Sequence, residues 1–412
     1  MSDANSNSTL IDKGNKLVNY ASEQLNGSNN YIIIAFLIIA FVLFIVISWI
    51  FNTLNKEEYA CKKLDSIYPV MNSYKSNSYL NNNGQIIKKN DYNNSETGKT
   101  RITIFKNYTI KSAYNCCCGD GYKNNFVKYC SLKKCIQQGA RCLDFEIYSY
   151  NNEPIVAAST ANNNSIKETY NYLELAEVFN ILRAQVFDNN SSSSATNDPM
   201  ILHFRIMSAN PKIYDKIGNL IKDKLSGTDN DHLINNNDYR LYSINSANYE
   251  RNINKLLTTS IENLHKKYIF AVNTKHNNIL DDSYLAQYVN FRSGYGSSKF
   301  KLYYFREIES AGKSNDLLIN TSKSSIIMVI PNLNNNIINY DYTIPLSNGC
   351  QIISMKFQNM DNFLISYNNY FKNNGGYSMV LKSASLRKDV AYSSSVNSGA
   401  QLNQDTNLNP SL

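Results

Sequence analysis

From Tyr31 to Phe51 the chain reads YIIIAFLIIAFVLFIVISWIF, an apolar run with no charge and with Ser48 as its one polar residue. At about 1.5 Å per residue such a run spans roughly 30 Å as a helix, the thickness of a bilayer's hydrocarbon core. It is too long and begins too late for a cleaved signal peptide, and no small-residue cleavage pattern follows it. Tyr31 and Trp49 stand near its ends, where aromatic side chains anchor at a membrane interface. Residues 31–51 are therefore read as one transmembrane helix. Within residues 1–30, Leu10, Ile11, Leu17, Val18, Ala21 and Leu25 recur with helical period behind Ser8 or Thr9, which predicts an amphipathic segment lying near the membrane.

Beyond the apolar run the pattern weakens. Residues 52–94 are rich in Asn, Ser and Tyr and are expected to form a stalk. From about Arg101 to Arg387 short apolar runs alternate with stretches of helical period. The predicted strands are Arg141–Tyr148, Pro154–Ala158, Met200–Ile206, Tyr268–Asn273, Ser325–Ile330, Cys350–Phe357 and Tyr377–Lys382. Predicted helices include Phe126–Gln138, Glu168–Phe187 and Pro211–Leu225, the last opening on a proline. This alternation predicts an α/β fold, either a barrel or a doubly wound sheet. Two polar stretches interrupt it, a loop at 188–198 and an insertion at 276–322. The tail, 391–412, is Ser, Asn and Gln rich and is expected to be disordered.

Composition adds three constraints. The net charge of +8 comes from scattered lysines, and no basic run with interleaved aromatics appears, so nucleic acid is not an expected partner. The 64 Asn residues devalue every Asn-based motif, and would suit the AT-rich genome of a large DNA virus. Lys13 and Lys16 precede the apolar run and Lys56, Lys62 and Lys63 follow it, which leans toward a cytoplasmic C-terminal domain; the Asn bias makes a viral or organelle membrane the expected location.

The run Gly349–Arg387, GCQIISMKFQNMDNFLISYNNYFKNNGGYSMVLKSASLR, resembles the end of the Y half of eukaryotic phosphoinositide-specific phospholipase C. There Gly-Cys-Gln, a Phe-Gln strand end, Asn-Gly-Gly and Tyr-Val-Leu-Lys-Pro-x-x-Leu-Arg recur in that order. Gly139–Val156 (GARCLDFEIYSYNNEPIV) is similar to a strand and Glu-Pro of the X half, and Ser260–Val272 (SIENLHKKYIFAV) to a later strand entry of that half. The resemblance implies a TIM-barrel-like α/β fold, with 95–275 as an X-like half, 276–322 as the variable linker and 323–390 as a Y-like half.

In that family the inositol 2-hydroxyl attacks phosphorus, with two histidines as general base and acid and Ca²⁺ stabilising the phosphoryl oxygens. Matched residue by residue, the first histidine position is held here by Tyr114. The second is held by Ala158, with Ala157 as the neighbouring alternative. Neither residue titrates near neutral pH, so no intact catalytic pair is expected. The family's metal ligands match Asn115, Asp144 and Glu146, while the fourth, a glutamate, falls at Arg205. Either the Arg205 guanidinium takes the place of the metal and neutralises the two carboxylates, or it points to solvent. Ca²⁺ is the cofactor only if the degenerate site still binds it; otherwise none is expected. The family's two phosphate-binding lysines fall at Val272 and Thr274, leaving Lys275 as a partial substitute. His203 is read as a satisfied structural histidine, with a rebuilt catalyst as the alternative.

Cys142 and Cys350 match small apolar core positions. Cys116, Cys117, Cys118, Cys130 and Cys135 are left among buried thiols, disulfides and a zinc site. The reading is a membrane-anchored phospholipase C-like protein without the catalytic histidines, whose partner is membrane lipid, an inositol phospholipid among the candidates. An active phosphodiesterase with a rearranged acid/base set is the competing reading.

Overall fold

The computed structural model describes residues 12–13, 15–20, 30–68, 74–76, 79–80, 86–87, 101–102, 104–161, 166–187, 195–226, 233, 244, 249–294, 299–388 and 390–391. Eight runs form parallel strands: β1 (Tyr108–Ala113), β2 (Cys142–Tyr150), β3 (Met200–Ile206), β4 (Tyr268–Thr274), β5 (Phe291–Arg292), β6 (Phe300–Tyr304), β7 (Ile326–Ile330) and β8 (Ile352–Met355). They pair in the order β5-β4-β3-β2-β1-β8-β7-β6, every pair parallel. The two edges approach each other: the Gly294 N–H donates to the Phe300 carbonyl at 3.3 Å, and the Phe291 and Phe300 rings lie 5.3 Å apart. The fold is thus a nearly closed TIM-type barrel, the first of the two alternatives predicted from the pattern. Strand β7 reads as an unbroken apolar run because one face lines the barrel and the other packs under helices.

After β2 the chain turns at Asn151 and Asn152, both at positive φ, where Asn is tolerated. It returns antiparallel as Glu153–Ala157, which then pairs with Leu173–Glu174. Outside the barrel lie α2 (Tyr129–Gln137), α3 (Leu175–Gln185) and α4 (Pro211–Leu220), preceded in the chain by α1 (Asn30–Ile67). Asn210 caps α4 by accepting from the Lys212 N–H, with Pro211 at its first position. The predicted helix to Leu225 changes at Ile221 into a π-turn, Ile221–Leu225.

The chain divides into two units, residues 1–59 and 60–412. In the first, the helix from Tyr31 has a mean hydropathy of 3.2 and no buried residue in its most apolar window; it is long and apolar enough to cross a bilayer. The leader is helical at 12–13 and 15–20.

Three expectations change. Residues 60–68, read as the start of a stalk, belong to the barrel unit. Ala60, Leu64 and Tyr68 recur every fourth residue and are buried, giving this helical turn an apolar side. Cys61 is disulfide-bonded to Cys130 of α2, Lys63 pairs with Asp120 at 2.9 Å and Asp65 with Lys134 at 2.8 Å. Residues 276–322, read as a polar insertion, carry β5 and β6, with 295–298 between them outside the described residues. Phe300, Leu302 and Tyr304 share a face of β6, but intervening polar residues and the brevity of β5 hide the strand period. Finally, β1 escaped the strand list because Lys111 interrupts it. That lysine is fully buried, with its ammonium 3.8 Å from the Tyr74 ring centroid and 5.8 Å from those of Phe357 and Phe371. The loop 188–198 in part, and almost all of the tail, lie outside the described residues.

Candidate functional site

Alternation along neighbouring strands brings one group of polar side chains together inside the barrel. Asp144 stands in register with His203, and Glu146 with Arg205. All four are buried, Asp144, Glu146 and His203 completely and Arg205 to 3% exposure. Arg205 Nη1 donates to Glu146 Oε1 at 2.8 Å, and Nη2 donates to Asp144 Oδ2 and to Asn115 Oδ1, both at 2.8 Å. Asn115, just past β1 at φ 42, also donates its backbone N–H to Asp144 Oδ2 at 3.1 Å. The guanidinium carbon lies 4.9 Å from the Tyr114 ring centroid, a cation–π contact. The Ser159 N–H gives Glu146 Oε2 its second partner at 2.9 Å.

These contacts set the electrostatics. Burial pushes Asp144 up, but Arg205 and His203 outweigh it and hold the carboxyl well below the usual carboxylate range. For Glu146 burial wins over Arg205 and Ser159, so its pKa is raised. Arg205, disfavoured by burial, is held charged by Asp144 and its neighbours. Tyr114 is pushed far above its ordinary value by burial, so its hydroxyl stays protonated. Arg205 therefore points inward, not to solvent.

The donor set tests the fit of Ca²⁺. A calcium ion wants six to eight oxygens. Here the Asn115 oxygen, both Asp144 oxygens and one Glu146 oxygen all accept from the guanidinium. The residues present do not fit the ion, since the cation's place among them is taken by a side chain. Among the described residues no group of three or more His, Cys, Asp or Glu could hold a metal.

A second chain of contacts leaves the same carboxylate. His203 Nδ1 lies 2.7 Å from Asp144 Oδ1, and Nε2 lies 2.6 Å from Ser293 Oγ. Asp144, held ionised, accepts, so Nδ1 carries a proton. Acid, histidine and serine in this order form the arrangement that activates a serine. An oxyanion would need free donors beside it. The Ser293 N–H is spent on the Val272 carbonyl and the Gly294 N–H on Phe300. The relay fixes the His203 ring, which stacks on Phe300 at 7°, and these two backbone N–H groups beside Ser293 are not available to an oxyanion.

Loops after β1, β7 and β8 are tied into a partial roof at the mouth. Asn335 Oδ1 accepts from the N–H groups of Tyr122 and Lys123 at 3.2 and 3.1 Å, joining the loop after β7 to the loop after β1. Gln358, after β8, donates to the Asp120 carbonyl and the Tyr122 hydroxyl. Lys356 donates to the carbonyls of Asn336 and Ile338.

Asn115, Tyr114, Asp144, Glu146 and Arg205 thus meet as the sequence suggested, and Ala158 is buried next to Ser159 at the rim of the group. Lys275 is exposed one residue beyond β4 and is not part of it. Ser293, Ser159 and the roof residues carried no sequence signal. Cys116, Cys117, Cys118, Cys135, Cys142 and Cys350 are free and buried, whereas Cys130 is in the disulfide.

Among solved structures the fold is similar to that of PLC21 from L. pealei and PLC21 from S. officinalis. Each is 14% identical, with a TM-score of 0.53, over 71% of this chain and 38% of the other. The chain therefore spans well under half the length of those proteins. A calcium-dependent phosphoinositol-specific phospholipase C from a Pseudomonas sp. aligns over 68% of this chain and 95% of its own, at 12% identity and a TM-score of 0.39. No family model matches the chain, and no curated protein sequence matches it. At these identities the likeness concerns the barrel fold.

Proposed function

We propose that the chain is a membrane-anchored phospholipase C-like protein that has exchanged the family's catalytic apparatus for a structural ion-pair network, and that it serves as a lipid-binding or structural module at a membrane. The observation that carries this reading is Arg205, 3% exposed and fastened by Asp144, Glu146 and Asn115. Tyr114 and Ala158 stand where the resemblance expects proton carriers. Losing each general acid or base costs about 10²- to 10⁴-fold in rate, and the polar group is buried among the described residues. Anchoring would come from residues 31–51, and the lipid partner would be an inositol phospholipid or another anionic headgroup met at the surface, with Lys275 one exposed cation for it.

The test is turnover of phosphatidylinositol and its phosphates by the full chain in detergent with Ca²⁺, beside a Tyr114→His, Ala158→His variant and a known phospholipase C. No turnover above background and no stoichiometric Ca²⁺ binding are expected. Turnover comparable to the known enzyme, or Ca²⁺ binding abolished by Asp144→Ala, would refute the proposal.

One observation favours the competing reading of an active phosphodiesterase. His203, oriented by Asp144 and touching a hydroxyl, has the surroundings of a general base. Any hydrolysis that is found should then vanish in His203→Asn and survive in Tyr114→Phe.

A further inference from the structure

Away from the barrel interior, a cleft of ≈ 390 Å³ opens between the β2 turn, the start of α3 and the end of α4. Tyr150 and Tyr172 line it, their rings 5.1 Å apart and tilted by 38°, and both remain more than a third exposed, at 49% and 37%. Glu153, Glu174 and Asp223 line it too, against a single cation, Lys216. Lys216 is ion-paired to Glu153. Glu174 and Asp223 make no ion pair or side-chain hydrogen bond among the described residues. Asp223 sits in the π-turn Ile221–Leu225, a local widening of the helix that recurs at binding sites.

We propose that this cleft binds an organic ammonium group, primary or quaternary, carried by a small amine or by a headgroup. The face of a tyrosine ring attracts a cation, more strongly where water is excluded, and two carboxylates without a cationic partner among the described residues supply the complementary field. An apolar ligand would use the rings and leave the carboxylates unmatched. The carboxylates are spread over three elements, which suits a bulky cation better than a metal ion with its tight shell. Nothing in this assignment depends on the reading of the barrel mouth, so either can fail alone.

The experiment is calorimetric titration of the full chain, held in a maltoside detergent that carries no ammonium, with choline, tetramethylammonium, phosphocholine and the neutral choline isostere 3,3-dimethylbutan-1-ol. Choline and tetramethylammonium should bind saturably, and the neutral isostere about tenfold more weakly or worse. Tyr172→Ala and Asp223→Asn should each weaken choline about fivefold, while Tyr172→Phe, which keeps the ring, should bind as the unsubstituted chain does. Phosphocholine matching choline would assign the cleft to a headgroup, and phosphocholine binding more weakly would assign it to a free amine. Equal binding of the neutral isostere, choline binding indifferent to both weakening variants, or no saturable choline binding at all would overturn the proposal.

Discussion

Arg205 grips Asp144 through three contacts, Nε to Oδ1 at 3.0 Å and to Oδ2 at 3.3 Å, and Nη2 to Oδ2 at 2.8 Å. Such a pair adds little over an apolar core of the same shape, but removing one partner leaves a charge stranded. Arg205→Ala is therefore expected to destabilise the chain by about 3–5 kcal/mol, read from urea unfolding. Arg205→Glu gathers three carboxylates around the vacated guanidinium position. Its unfolding midpoint should be low without metal and rise with Ca²⁺, while the unsubstituted chain ignores Ca²⁺. A midpoint indifferent to Ca²⁺ in the variant would argue that Arg205 does not stand at a former metal position.

Lys111 is the opposite case, a buried cation held by aromatic rings and the Tyr74 hydroxyl. Burial drives its pKa well below the ordinary value. Lys111→Met keeps the volume and removes the desolvation cost, at the loss of one contact to Tyr74. We expect stability to rise by about 1 kcal/mol, measured by urea midpoint; a fall of that size would mean that the ring contacts outweigh desolvation.

The other buried lysines give stability a pH slope. Burial lowers Lys382 to about 7 and Lys106 and Lys356 to about 8, from 10.5. Between the folded and unfolded values the unfolded chain binds protons that the folded chain does not, so stability rises with pH. The window runs from about pH 7 to about 9, below the ionisation of tyrosines in the unfolded chain. Lys382→Met should flatten the lower part of that rise in denaturation curves taken across the window.

The Cys61–Cys130 bond joins residues 69 apart in sequence. Replacing both by serine is expected to cost about 2–4 kcal/mol, seen as a lowered thermal midpoint. Disulfides persist on the oxidising side of a membrane, which pulls against the lysine count around the apolar helix. Peptide mapping of chain taken from its native membrane under non-reducing conditions decides between them. A linked pair places the barrel on an oxidising side, and a reduced pair places it in the cytoplasm.

Strands buried on both faces were readable where apolar residues run through them without interruption, as in β7. The Asp144, Glu146 and Arg205 group was readable because strand alternation and the family resemblance named the same positions. Ser293 was not, since it lies in a stretch whose polar residues mask a two-residue strand. Asn335 ties the roof together, yet one asparagine among 64 carries no information. Cys61 fell in a segment read as a stalk, and spacing alone does not identify a cysteine's partner.

The late strand Met379–Leu381 pairs antiparallel with β1, Met379 in register with Ile110, and β8 lies against β1 as well. During synthesis β1 leaves the ribosome far ahead of both. Apart from the Ser112–Ala113 end, which pairs with β2, its peptide groups stay unmatched until the last part of the chain emerges, an open edge of the kind that recruits other strands. Nascent chains and products truncated before residue 379 should therefore depend on a holding chaperone, and release from the ribosome, not emergence of β1, should time the closure of the barrel.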